Sequence, residues 1–103
     1  MIHVLAFITT KPGKRDEVLA AFRANMPKVH AEDGCIEYQP VIDAEGMGAF
    51  QTKIGADSFV VIEKWQSTDH LKAHAGSPHM AEYAGKVKDL LADRVIHVFS
   101  GAA

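Results

Sequence analysis

An α+β fold, with four antiparallel strands carrying helices on one face, is what this sequence predicts, and three observations lead there. The chain has 103 residues, enough for one domain spanning 1–103 and too few for two. Its apolar pattern alternates between strand and helix periods in the order β-α-β-β-α-α-β, the split βαβ arrangement. Its composition, 48% hydrophobic and 23% charged with 8 Gly and 4 Pro, suits a globular core and not a disordered or collagenous chain. At this size about 65% of the unfolded surface can be buried, so a core forms without disulfides.

The first strand is Ile2 to Thr9, β-branched and aromatic, stopped by the turn signal Thr10-Lys11-Pro12-Gly13. Both of its faces are largely apolar, which calls for cover on both sides. From Lys14 the spacing of Val18, Leu19, Phe22 and Met26 predicts a helix, with Pro27 expected to kink or end its main part and Glu32-Asp33-Gly34 to close the segment. Cys35 to Ile42 is the second strand, where Pro40 suggests an edge or a bulge. Asp43 to Asp57 is a long connection with a short extended piece expected around Phe50 to Ile54. Ser58 to Gln66 is the third strand, and alternation places Phe59, Val61, Glu63 and Trp65 on one face.

Ser67 is an N-cap for a short helix that Gly76 ends, and Ser77 caps a second one with Pro78 at its first position. Met80, Tyr83, Ala84, Val87, Leu90 and Leu91 form the apolar stripe of that longer helix. Arg94 to Ser100 is the fourth strand, apolar on both faces apart from His97. Strands one and four are expected to be the central pair. A second copy of the sheet is the economical cover for their other face, since monomers seldom expose so large an apolar patch, and a homodimer is therefore expected.

Composition excludes several function classes. Eleven Lys plus Arg against 13 Asp plus Glu leave a net charge of -2, no footprint for nucleic acid. The single cysteine, Cys35, forms neither an internal disulfide nor a paired zinc or redox motif, which fits a reducing compartment. No apolar run approaches the length of a membrane span and the apolar N-terminus lacks a basic segment before it, so a soluble cytoplasmic protein without membrane partners is expected. Dinucleotide, P-loop and hydrolase glycine signatures are absent.

Three histidines within ten residues, His70, His74 and His79, follow Trp65, and histidine suits proton transfer near neutral pH. His70 and His74 have a spacing that can chelate a metal. With no third ligand at a recognisable spacing, no metal ligand is assigned and no cofactor is expected. His70 is expected to be solvated, while His74 and His79 either serve a pocket or cap helices. His3 and His97, within strands, are expected to be satisfied core residues. Trp65 either lines a cavity or fills it. Glu63, on an apolar strand face, needs a partner, Arg94 or a histidine being the candidates. Tyr38 and Tyr83 either donate to a ligand oxygen or sit in the core. Cys35 is expected to be a small buried residue.

The run from Glu63 through Met80, E-K-W-Q-S-T-D-H-L-K-A-H-A-G-S-P-H-M, with Glu32 to Tyr38 and the opening KPGK, resembles the antibiotic biosynthesis monooxygenase family, above all its small bacterial quinol monooxygenase branch. The resemblance implies a dimeric α+β barrel, ferredoxin-like in each subunit, that oxygenates a quinol or polyphenol with dioxygen and without metal or flavin. Glu63, Trp65, His74 and His79 fall on the family's pattern and Tyr38 matches its strand-two aromatic. The implied site has His74 or His79 as catalytic base, Tyr38 on a quinone oxygen, and Trp65 with Glu63 beside the flat ring. Ala84 stands where the haem-degrading branch has an axial histidine, and Val61 where the aromatic-polyketide branch has asparagine, so neither of those chemistries is carried over. An isomerase or a non-catalytic ligand-binding dimer for a small carbonyl or aromatic compound is the alternative on the same fold.

Overall fold

In a computed structural model describing residues 1–103, the elements are β1 (Ile2–Thr10), α1 (Arg15–His30), β2 (Cys35–Val41), β3 (Ser58–Trp65), α2 (Thr68–Ala75), α3 (Pro78–Val87) and β4 (Leu91–Ser100). The four strands form one antiparallel sheet in the order β2-β3-β1-β4, the ferredoxin-like α+β arrangement. The central pair is therefore β1 and β3, and β4 is an edge strand, contrary to the expectation from sequence. The α1 crossover leaves a gap beside β1 that β3 fills, so the final crossover can only set β4 on the other side.

Register sorts the side chains into rows across the helix-covered face. Tyr38, Glu63, Val4 and Val98 make one row, and Pro40, Val61, Ala6 and Ile96 the next. Beyond them Phe59, Ile8 and Arg94 make a third. Val18, Leu19, Phe22 and Val29 of α1 share a core with Val4, Ala6, Ile8, Phe59, Val61 and Trp65. Phe22 stacks on Tyr38 with ring centres 5.0 Å apart and meets Phe59 and Tyr83 edge-on, so one helix residue ties β2, β3 and α3 together.

Several local expectations change. The helix α1 runs through Pro27 to His30, because the missing N–H removes only one hydrogen bond in the last turn. That turn is anchored by His30, whose Nε2 lies 2.9 Å from the Tyr38 carbonyl oxygen. The long connection holds a 3₁₀ turn at Gly48–Phe50 and no strand at Phe50 to Ile54. Asp43 closes it instead, accepting the Ile54 and Gly55 N–H groups at 3.0 and 2.9 Å, and these bonds hold its carboxyl below the usual range. α3 stops at Val87, so Leu90 and Leu91 pack against the core from a turn and from β4. The last strand starts at Leu91 and not at Arg94, with an irregularity opposite Thr9 and Thr10.

The face turned away from the helices carries His3, Leu5, Phe7, Val60, Ile62, Val95, His97 and Phe99. Phe7 is 38% exposed, Val95 43% and Phe99 46%, and His97 is exposed between the two aromatics. His3 and His97 are thus not core residues of the single chain. No helix is long and apolar enough to cross a membrane.

Candidate active site

Two serine caps bring the histidines together. Ser67 starts α2 by accepting the His70 N–H, and Ser77 starts α3 by accepting the Met80 N–H, with Gly76 between the helices. This tight α2–α3 corner sets His74, at the end of one helix, beside His79, at the start of the next. Both rings address a residue from another part of the chain. Oε2 of Glu32, in the turn after α1, accepts the His74 Nδ1–H at 2.8 Å and the His79 Nε2–H at 2.9 Å. The second nitrogen of His74 lies 3.9 Å from Oε1 of Glu63, whose carboxylate accepts the Trp65 indole N–H at 2.9 Å.

Glu32 is the site residue that sequence inspection missed. Its distance along the chain from both histidines hid it, and the only signal was an acid in the turn matched by the Glu32-to-Tyr38 resemblance. Glu63 finds its partners in Trp65 and His74, and not in Arg94. His70 keeps partial exposure but is not free: its ring lies under Gly34, with Nδ1 2.7 Å from Ser67 Oγ and Nε2 3.3 Å from Asp33 Oδ2. Its role is to hold the turn that carries Glu32.

Between the sheet and the two short helices lies an open cavity of about 660 Å³ with mostly hydrophobic walls. His74, Glu63 and Tyr38 line one end, with Phe22, Leu71 and Met80 around them. Trp65 and His79 are not on its wall. Trp65 is fully buried and its ring lies 4.6 Å from that of His74, so it backs the histidine and fills the space behind it. His79 stands behind Glu32. Tyr83 lines the cavity from α3.

Burial sets the electrostatics. Desolvation pushes the Glu63 carboxyl up, against the opposing pull of the Trp65 N–H and of His74. Desolvation also raises the Tyr38 phenol far above its ordinary value and pushes Tyr83 up to about 12, so both stay neutral donors. The Tyr38 hydroxyl has only the Met80 sulfur as acceptor, at 3.9 Å, a weak bond that a ligand oxygen can replace. The Cys35 thiol is pushed up by burial and by Glu32 and Glu63, which keeps it a thiol and a poor nucleophile.

Glu32, His74 and His79 also present three ligand atoms within 4.8 Å of one another, a set that the His70/His74 spacing did not foreshadow. In this geometry a single oxygen of Glu32, Oε2, accepts both imidazole N–H groups. A carboxylate that fixes one imidazole nitrogen leaves the other as a proton acceptor, here on a residue of the cavity wall. The arrangement can take a proton from a bound hydroxyl, with the carboxylates of Glu32 and Glu63 offsetting the imidazolium charge.

Comparison with known proteins decides the family, since residues 1–86 match the family described as antibiotic biosynthesis monooxygenase. The chain belongs to this family. Among monooxygenase-family relatives, the Escherichia coli protein named probable quinol monooxygenase YgiN is 42% identical over 90 residues, covering 85% of this chain and 86% of that one. The solved structure of Rv0793 from Mycobacterium tuberculosis superposes with a TM-score of 0.80 at 27% identity, covering 99% of this chain and 95% of that one. PA3566 from Pseudomonas aeruginosa shares the fold at a TM-score of 0.80 and 24% identity, over 99% and 94% of the two chains.

Proposed function

We propose that this protein is a quinol monooxygenase that works on dioxygen without metal or flavin, as a homodimer in a reducing cytoplasmic compartment. The observation that carries the proposal is His74, held by Glu32 through one nitrogen and presented at the end of an apolar cavity beside the Tyr38 hydroxyl, whose one acceptor is the weak Met80 sulfur. The 42% identity to YgiN supports the choice of a quinol.

The residues divide the work as follows. Tyr38 donates to one quinol oxygen and His74 takes the proton of a quinol hydroxyl, a group whose ordinary pKa is about 10. Glu32 stabilises the imidazolium, and His79, donating to the same carboxylate oxygen, holds that carboxylate in place. The quinolate gives one electron to dioxygen, and the radical pair combines to form a carbon–oxygen bond. Loss of water from the hydroperoxide leaves a hydroxyquinone. One oxygen atom enters the product and the other leaves as water, with the quinol as sole reductant. The apolar walls keep the surroundings of the radical pair low in polarity.

The test is oxygen consumption with a naphthoquinol, corrected for autoxidation, beside the same mixture under nitrogen. Enzyme-dependent uptake with incorporation of one labelled oxygen atom is expected. Proton exchange into a carbonyl compound without uptake would make the protein an isomerase, and saturable binding without turnover a binder. Either result would overturn the proposal.

A further inference from the structure

The cavity is polarised along its length. Glu63 and His74 occupy one end, whereas the other is lined by Arg94, opposite Ile8 on β1, and by Lys88, in the turn whose Leu90 carbonyl accepts the Lys11 N–H just past that end of β1. Neither cation has a carboxylate oxygen within 4.0 Å. Asp93 accepts the backbone N–H of Arg94 at 2.9 Å, and alternation along β4 turns the two side chains to opposite faces of the sheet. Arg94 is therefore the only cation among the paired strand residues that share the helix-covered face. The one row between it and Glu63 holds Pro40, Val61, Ala6 and Ile96, apolar throughout.

We infer that the substrate carries an anionic group, and that Arg94 and Lys88 bind it at the end of the cavity opposite the reacting hydroxyl. This rests on the quinol reading for the identity of the reacting end. The guanidinium offers a planar fork suited to a carboxylate, and the lysine adds a point charge. Arg94 lies two strands and four residues from Glu63, so their Cα atoms are about 17 Å apart. Once the two side chains have reached inward, that separation fits a two-ring aromatic with its hydroxyl and its anion on different rings. A single-ring substrate would leave one end unmet. Binding an anion here also places it away from Glu32 and Glu63, whose negative charges would repel it at the other end.

The experiment measures binding by calorimetry, which does not depend on turnover. The probes are 6-hydroxy-2-naphthoate and its neutral counterpart 6-hydroxy-2-naphthalenemethanol, alike in ring and phenol. The wild-type protein is expected to bind the naphthoate at least about tenfold more tightly, a preference that fades as salt is raised. Arg94→Gln and Lys88→Gln are each expected to weaken the naphthoate and to change the alcohol little, while Arg94→Lys keeps part of the preference. Both side chains are exposed, and circular dichroism verifies that the variants fold. Equal affinities in the wild type, or equal losses for both probes in Arg94→Gln and Lys88→Gln, would overturn the inference. An Arg94-dependent preference without oxygen uptake from any quinol would leave the anion site standing and remove the quinol reading. Quinol turnover with no preference would do the reverse.

Discussion

Glu63 shows how one residue links register to chemistry. Alternation along β3 points it inward between Val61 and Trp65, where desolvation raises its pKa. A carboxyl raised in the folded state contributes stability that is complete below its unfolded value near 4.3 and is lost as pH rises through the folded value. Glu63→Gln does not titrate, so its melting temperature relative to wild type is expected to be higher at pH 7 than at pH 4. Thermal melts at several pH values measure this, and a difference constant with pH would contradict the assignment. His74 carries the second prediction at this scale. His74→Ala is expected to lower kcat for a quinol by about 10² to 10⁴, as for loss of a general base. Because His74 is only 4% exposed and pairs with Glu32, the variant also loses about 1 to 3 kcal/mol of stability, so kcat is measured well below its transition. His79→Ala, behind the wall, is expected to cost less, and full activity in His74→Ala would exclude it as the base.

Among the elements, the turn from α1 into β2 matters most, since it delivers Glu32. Gly34 adopts φ 81°, and a Cβ there would overlap the His70 ring. Its carbonyl also accepts the Gln66 N–H at 2.9 Å, tying the turn to the end of β3. Gly13 has a similar φ of 75° but open space around it. Gly13→Ala is therefore expected to cost only the left-handed strain, about 1 to 3 kcal/mol, and Gly34→Ala distinctly more. Adding His70→Ala should recover part of the Gly34→Ala loss. Denaturant unfolding of the three variants checks this, and equal costs for the two glycines would show that the His70 contact is immaterial.

For the whole molecule, the outer face of the sheet calls for a cover. Phe7, Val95 and Phe99 lie exposed around His97, with Leu5, Val60 and Ile62 half-buried beside them. A second copy of this face would bury them, and about 800 Å² of apolar burial yields about 20 kcal/mol before association costs. Sedimentation equilibrium is expected to give a dimer at micromolar concentration. A paired Phe7→Asp and Phe99→Asp variant should become monomeric with its secondary structure intact. A monomeric wild type would count against the homodimer.

Periodicity and caps were sufficient to read the element order, because apolar spacing and the Ser67 and Ser77 caps are local properties of the chain. The inward set Phe59, Val61, Glu63 and Trp65 followed from alternation alone, and Tyr38, His74 and Glu63 were legible as candidates from residue type and resemblance. Strand order was not legible in the same way: β1, β3 and β4 are similarly apolar, and crossover geometry, not composition, put β3 in the centre. The partnership of Glu32 with His74 and His79 was also invisible, since it joins residues more than forty positions apart through two turns. The division of Trp65 and His79 from the cavity wall, and of Arg94 from Glu63, likewise depended on packing. Local sequence sets which residues can bury or protonate, whereas which of them meet is set by how the helices lie across the sheet.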